Sequence, residues 1–194
     1  MIGLFVINFT SMQKKTNYLT FHNRQKTVES TDIQGNNVVI KAEKCVKFLG
    51  VHLQDTLQWN EHCTALVTTL CKVCYQMKYL NSILCVEQLR CFYFAEVHSR
   101  LMYGVCFWGC PGTNSKNVFR IEKRIIRNMN LKPTTYPSKE LFKSCDILPL
   151  PCIFILEVLL HTVKQKNSLI QIRMFTVMTL VKKIIFTCHF LCVT

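Results

Sequence analysis

The sequence predicts an α+β fold, with a short β-hairpin region at the N-terminus followed by a mostly α-helical bundle. Three observations support this prediction. Residues 1–55 contain short runs typical of strands, residues 56–164 place apolar residues at helical spacing, and residues 165–194 form an apolar tail with basic interruptions. Because 49% of the 194 residues are apolar and only 18% are charged, the chain can bury a core.

The first 55 residues predict short strands joined by turns. Strand-type runs occupy residues 18–21, 27–33 and 38–42, and turn-forming residues fill positions 34–37. From residue 45 onward, Leu49, Val51 and Leu53 alternate with Gly50 and His52. This alternation predicts a hairpin over residues 45–53.

Residues 56–164 predict five helices. The first runs from residue 59 to about residue 80, with Asn60 as its expected N-cap. The second, over residues 87–103, is apolar on almost every side and is therefore expected at the centre of the fold. Three more helices are predicted at residues 115–130, 138–145 and 153–164, with prolines at 133, 149 and 151 between them.

The charge balance favours an anionic partner. Lysine and arginine number 24 against 11 acidic residues, which gives a net charge of +13 and points to a polyanion or an anionic membrane surface. The aspartates are only Asp32, Asp55 and Asp146, so chemistry that needs clustered carboxylates is poorly supplied. The twelve cysteines show no repeated spacing and the N-terminus lacks the features of a signal peptide. We therefore expect reduced thiols in an intracellular protein, cytoplasmic or nuclear and not secreted.

The third predicted helix separates apolar from basic residues. At about 100° per residue, Ile121, Ile125 and Met129 share a face with Val118. The opposite half carries five cations, with only Glu122 to offset them: Lys116, Arg120, Lys123, Arg124 and Arg127. Such a stripe matches the charges of a phosphate backbone and predicts salt-sensitive, sequence-independent binding to nucleic acid. The alternative is a solvated helix face that contacts nothing.

The sequence offers little support for metal binding or catalysis. Cys71 and Cys74 have C-x-x-C spacing, but they lie within a predicted helix among apolar neighbours and lack a matching second pair. We interpret them as core residues, and His62 and His98 as structural histidines. Nucleotide-binding glycine loops and nucleophile motifs are absent from the sequence. We therefore predict no catalytic residue, no metal, no cofactor and no small-molecule substrate.

Short motifs in a consistent order resemble the end of the polymerase region of non-LTR retrotransposon reverse transcriptases. They cover residues 12–160: KTNYLTF at 15–21, KFLGVHL at 47–53, LQWNEH at 57–62, SRLMYG at 99–104, WG at 108–109, RIEKRIIR at 120–127, ELFK at 140–143 and ILPL at 147–150. Each motif is weak alone, but their order makes the resemblance strong.

The resemblance implies a role for each part of the chain. Residues 1–55 would be the end of the palm, with Lys15 near the phosphates of the incoming nucleotide. Phe48, Leu49 and Gly50 would form the primer-grip turn that holds the 3′ end of the primer. Residues 56–164 would be the helical thumb, which clamps an RNA/DNA duplex by its backbone and ignores base identity.

The departures from the family concern the active site. Ser11 and Met12 stand where the family has Leu-Asn, and the catalytic Tyr/Phe-x-Asp-Asp strand expected before Lys15 is absent from the 194 residues. Nucleotidyl transfer needs carboxylates that hold two metal ions, so Mg²⁺ is expected only for a complete enzyme. The resemblance therefore implies a reverse transcriptase fragment (an RNA-directed DNA polymerase by descent) without polymerase activity of its own.

Residues 165–194 do not resemble the family and leave alternatives open. One alternative is a small basic membrane-associated protein whose tail contacts anionic lipids, although Lys182 and Lys183 interrupt any spanning helix. Flotation on anionic liposomes, with and without residues 169–194, separates this alternative from nucleic-acid binding. A further alternative is that palm strands with unpaired edges prevent the chain from folding alone.

Overall fold

The computed structural model describes residues 3–6, 17–22, 33–35 and 38–165, and its architecture is α+β, as predicted. The strands are β1 (Gly3–Val6), β2 (Asn17–Phe21), β3 (Ile33–Gly35), β4 (Val38–Ala42), β5 (Cys45–Phe48) and β6 (Val51–Gln54). The helices are α1 (Asn60–Leu80), α2 (Val86–Tyr93), α3 (Ser99–Met102), α4 (Val105–Trp108), α5 (Thr113–Met129), α6 (Ser138–Ser144) and α7 (Leu150–Gln165), with a π-helical segment, Phe94–His98, between α2 and α3. The chain divides into two compact units, Met1–Thr64 and Ala65–Thr194.

The first unit contains two small sheets. In the larger sheet the strand order is β1-β2-β4-β3, with β2 antiparallel to β1 and parallel to β4. Tyr18 and Leu19 of β2 are buried there. The strands predicted at residues 18–21 and 38–42 are confirmed, whereas most of the segment predicted at 27–33 lies outside the described residues. The predicted hairpin at 45–53 is confirmed as the antiparallel pair β5–β6, in which Phe48 faces Val51.

The start of α1 differs from the sequence prediction. Asn60 is the first helical residue and not the cap, and its side chain donates a hydrogen bond to Gln58 Oε1 at 3.1 Å. The cap is the side chain of Gln54 at the end of β6, whose Oε1 accepts the backbone N–H of Asn60 at 2.9 Å and that of Glu61 at 3.4 Å. This arrangement satisfies two of the N–H groups that a helix start leaves without an intrahelical acceptor.

The core of the second unit is built around α2, the π-helical segment and α3. Leu89, Tyr93, Val97 and Leu101 recur every four residues and are fully buried. The prediction of a central helix holds for this face only, since Phe94 and Met102 are exposed. Gly104 then adopts a φ of 63°, a left-handed conformation that glycine tolerates, and separates α3 from α4.

The last three helices complete the second unit. α5 packs on α6 through the stacked rings of Phe119 and Phe142, whose centroids are 6.3 Å apart. α7 begins at Leu150, three residues before the predicted start. The difference arises because Pro151 lies in the first turn of α7, where a missing N–H breaks no intrahelical hydrogen bond.

Candidate nucleic-acid interface

The basic stripe predicted from the sequence lies on the solvent-facing side of α5. We define it by five residues, of which Lys116, Arg120 and Arg124 are exposed and Lys123 and Arg127 are half-buried. At about 100° per residue they fall within an arc of about 100°. The opposite face is buried at Val118, Ile125 and Met129. The helix therefore presents cations to solvent along its length and apolar residues to the core.

Local contacts orient three of the five cations without neutralising them. The Arg120 guanidinium donates to Asn117 Oδ1 at 2.9 Å, and Arg127 Nε donates to the backbone oxygen of Tyr136 at 2.9 Å. Lys123 Nζ lies 4.2 Å from the centroid of the Phe119 ring. Among the residues that the structure describes, none of the five forms an ion pair with a carboxylate. Their charge remains available to an anionic ligand.

Glu122 does not offset the stripe, and that part of the sequence analysis is wrong. Its side chain is 0% exposed and lies on the core side of α5. The Tyr93 hydroxyl donates to Oε1 at 2.9 Å, and the backbone N–H of Leu150 donates to Oε2 at 3.0 Å. Because Tyr93 belongs to α2 and Leu150 opens α7, this one carboxyl group links three helices.

Burial also changes the charge of Glu122. Loss of solvent raises the pKa of its carboxyl group from 4.5 to about 8, although the two hydrogen bonds and nearby Lys123 act in the opposite direction. Glu122 is therefore largely protonated at neutral pH. The signal was present in the sequence, since Glu122 follows Val118 by four residues and so lies about 40° from it on the apolar face.

The hairpin loop between β5 and β6 places an apolar side chain at its tip. Leu49 and Gly50 have φ angles of 46° and 83°, and two positive φ values in a two-residue loop are those of a type I′ turn. Leu49 is 67% exposed, and Phe48 before it is half-buried. A left-handed backbone costs a leucine about 1–2 kcal/mol.

The predicted site residues that the structure describes thus form two groups. Phe48, Leu49 and Gly50 meet at the hairpin loop of the first unit, and the five cations share one helix face of the second unit. Each group belongs to one compact unit of the chain. Lys15 lies outside the described residues, as does the tail from residue 166 onward. The described residues include no helix with the length and apolar character needed to cross a membrane.

The cysteines and histidines considered for metal binding differ in their burial. The interpretation of both cysteines as core residues is confirmed for Cys74, which is buried, and wrong for Cys71, which is exposed. Asn128 Nδ2 lies 3.3 Å from Cys74 Sγ. His62 is buried, and its burial together with neighbouring His52 lowers its pKa. Over residues 3–6, 17–22, 33–35 and 38–165, no group of three or more histidine, cysteine, aspartate or glutamate side chains is arranged to hold a metal ion.

The two described aspartates are engaged elsewhere. Asp55 Oδ2 lies 3.3 Å from His22 Nε2 in the first unit, and Asp146 Oδ2 accepts from Arg90 at 3.1 Å in the second.

Comparisons with protein-family models, with curated proteins and with solved structures find no match to this chain. The geometry of the stripe on α5 is therefore the main structural basis for assigning a function.

Proposed function

We propose that this chain is the palm-end and thumb-like part of a non-LTR retrotransposon reverse transcriptase, and that it binds the nucleic-acid backbone without base preference. The observation that carries the proposal is the exposed stripe of five cations on α5, which has no carboxylate partner among the described residues. The resemblance of the motifs over residues 12–160 supports the assignment to the family.

The dimensions of the stripe match a phosphate backbone. Lys116 and Arg127 are eleven residues apart, which corresponds to about 16 Å along a helix axis. One strand of a duplex presents a phosphate about every 3.4 Å, hence about five phosphates over that distance. Five cations on flexible side chains can therefore neutralise about as many phosphates on one strand. Contacts of this kind hold the ligand in place but carry no sequence information.

The hairpin loop would add a second contact. The resemblance assigns Phe48, Leu49 and Gly50 to the 3′ end of a primer and Lys15 to the phosphates of the incoming nucleotide. The exposed Leu49 side chain supports that assignment, because an apolar group at a hairpin tip can pack against a sugar or a base. Its left-handed backbone adds support, since strained residues cluster at functional sites.

We expect no polymerase activity from this chain alone. Phosphoryl transfer by the two-metal mechanism needs carboxylates that hold both ions about 4 Å apart. No two aspartates are adjacent in the 194 residues, and Asp55 and Asp146 contact His22 and Arg90 instead. Magnesium would belong to a complete enzyme, and we propose no cofactor for this chain alone. Primer extension by the purified chain with Mg²⁺ would contradict this expectation.

Backbone binding is tested by the salt dependence of affinity. The variant Arg120→Gln/Lys123→Gln/Arg124→Gln removes three stripe charges, and the control Lys41→Gln/Lys44→Gln/Lys164→Gln removes three exposed lysines elsewhere. Both lower the net charge by the same amount. Each phosphate contact contributes about 0.9 to the slope of log K against log salt, so the stripe variant should lose about 3 from that slope. Fluorescence anisotropy with a labelled duplex measures it.

The control separates a contact surface from net charge. We expect it to keep the wild-type slope, because its lysines lie outside the stripe. Equal losses in the two variants would mean that overall charge, and not α5, attracts the duplex. An unchanged slope in the stripe variant would refute the proposal directly. Circular dichroism of each variant checks that its helices are intact.

A further inference from the structure

Two exposed tyrosines lie on α1, outside the stripe. Tyr75 is 76% exposed and Tyr79 is 65% exposed. Residues four positions apart on a helix are neighbours, about 5–6 Å between Cβ atoms, so the two side chains leave the same face of α1. Lys72 and Lys78 are exposed on the same half of the helix. From residue 65 to its end, α1 contains no acidic residue.

α1 meets α5 through polar contacts near the ends of both helices. Asn81 Nδ2 donates to the backbone oxygens of Asn128 and Met129 at 2.5 and 2.7 Å. Asn128 Nδ2 in turn donates to the backbone oxygen of Cys74 at 3.2 Å. Cys74 and Asn81 therefore mark the side of α1 that faces α5.

Helix geometry places the tyrosines on the solvent side of that contact. At about 100° per residue, Tyr75 lies about 100° from Cys74 in one direction, and buried Val73 lies about 100° away in the other. On α5, the exposed Arg124 precedes Asn128 by four residues and so lies about 40° from it. Tyr75 and Arg124 are thus exposed residues of the two helices, and each lies within about one turn of the Cys74–Asn128 contact.

Arg124 of the stripe lies one helical turn before Asn128, which contacts Cys74. Burial raises the pKa of the Cys74 thiol, while the charge of Arg124 acts in the opposite direction. The positive charge of Arg124 thus acts on Cys74, the residue before Tyr75. A basic stripe on α5 and two exposed aromatic rings on α1, two helices that meet at Asn128 and Cys74, together supply backbone neutralisation and flat surfaces for stacking.

That combination favours one kind of ligand. Proteins that hold single strands pair a cationic track for phosphates with aromatic rings on which bases stack. A second copy of this chain is a poorer occupant, because it would bring Lys72 and Lys78 against the same lysines of its partner. The charge around the rings is complementary to a nucleic acid and repels another basic face.

We propose that the α1 face formed by Lys72, Tyr75, Lys78 and Tyr79 binds the unpaired bases of a single strand that continues from a duplex held by the α5 stripe. Only the binding of the duplex by the stripe rests on the proposed function. It adds that the preferred ligand is a duplex with a single-stranded extension. Stacking on a ring needs only the face of a base, so the site has no sequence preference.

The test uses the full chain and three labelled DNA ligands: a blunt duplex, the same duplex with an overhang of about six nucleotides, and that duplex with an abasic overhang. The abasic overhang keeps the phosphates and removes the bases. We expect the wild type to bind the base-bearing overhang about tenfold or more tighter than the abasic one. Tyr75→Ala/Tyr79→Ala should abolish this difference and keep the affinity for the blunt duplex.

Two control variants isolate the rings. Tyr75→Phe/Tyr79→Phe keeps both faces and should retain the preference for bases. Phe107→Ala removes another exposed ring, on α4, and should also retain it. Equal binding of the base-bearing and abasic overhangs by the wild type would overturn the proposal, and so would a preference that survives Tyr75→Ala/Tyr79→Ala.

Other outcomes distinguish this proposal from the one on which it rests. If the stripe variant keeps its affinity for the blunt duplex while the alanine variant loses the preference for bases, the backbone proposal fails and the tyrosine site is supported. If the chain is dimeric without nucleic acid and Tyr75→Ala/Tyr79→Ala makes it monomeric, the rings bind a second copy and the proposal is overturned. Sedimentation velocity measures the oligomeric state.

Discussion

Replacing Glu122 with glutamine should change how the stability of the chain depends on pH. The amide resembles the protonated acid: its oxygen can accept the Leu150 N–H, and its nitrogen can donate to the Tyr93 hydroxyl oxygen. In the wild type, the Leu150 N–H and the Tyr93 hydroxyl donate to the carboxyl oxygens of Glu122 at 3.0 and 2.9 Å. The substitution therefore keeps the link between α2, α5 and α7 and removes only the ability to ionise.

The pKa of Glu122 sets the size and sign of the effect. It rises from 4.5 in the unfolded chain to about 8 in the fold, so the folded state holds the proton more tightly. Unfolding releases that proton between these pH values, and wild-type stability falls as pH rises through them. At about 1.4 kcal/mol per pKa unit, the loss reaches about 5 kcal/mol near pH 8. Because the free energy of unfolding of a typical domain is about 5–15 kcal/mol, this loss is a large fraction of the total stability.

Urea unfolding of the wild type and of Glu122→Gln between pH 5 and pH 9 measures the effect. Burial lowers the pKa values of His62 and His98, so their contribution runs in the opposite direction and is lost as pH falls below about 6.5. Both proteins contain these histidines, and the difference between the two curves isolates Glu122. Similar stabilities near pH 5 should become an advantage of several kcal/mol for the variant near pH 8. A difference that does not change with pH would refute the reasoning.

Two smaller predictions concern the first unit. Leu49→Asn should stabilise the hairpin by about 0.5–1 kcal/mol in urea unfolding, because asparagine tolerates a left-handed backbone; Leu49→Ala keeps the strain and should give no such gain. Gln54→Ala removes the acceptor at the start of α1 and should cost about 0.5–1 kcal/mol. Its control, Gln76→Ala on the exposed side of α1, should leave stability unchanged, and equal losses would contradict the capping role.

Periodicity predicted those parts of the fold in which one face is buried. Their spacing predicts one core face for Val118, Ile121, Ile125 and Met129. Ile121 is half-buried and the other three are buried. The hairpin at 45–53 followed from alternation in the same way. The sequence analysis considers only the charge of Glu122 and does not predict its burial. Its position on the helix nevertheless places it among these apolar residues.

The parts that were not predicted depend on contacts between segments or on unusual backbone. Leu57 and Trp59 adopt φ angles of 52° and 59° just before α1, and bulky residues rarely adopt such a conformation. The acceptor for the first N–H groups of α1 comes from Gln54, six residues before Asn60. Neither the two φ angles nor this contact follows from local propensity. The sequence does not relate the tyrosine face to the stripe either, because that relation depends on how α1 and α5 meet.

The π-helical segment has a consequence for insertions and deletions. In an α-helix, residues spaced by four drift about 40° per step, or about 120° from Leu89 to Leu101. The i→i+5 turn, closed by the N–H of Ser99 on the oxygen of Phe94, is wider and takes back part of that rotation, so all four residues of the ladder stay buried. Deleting one residue between Phe94 and His98 would place Leu101 eleven residues after Leu89, and in a regular α-helix the two would then lie within about 20° of each other. This stretch can therefore lose one residue, and with it the wide turn, and still keep Leu101 in the core.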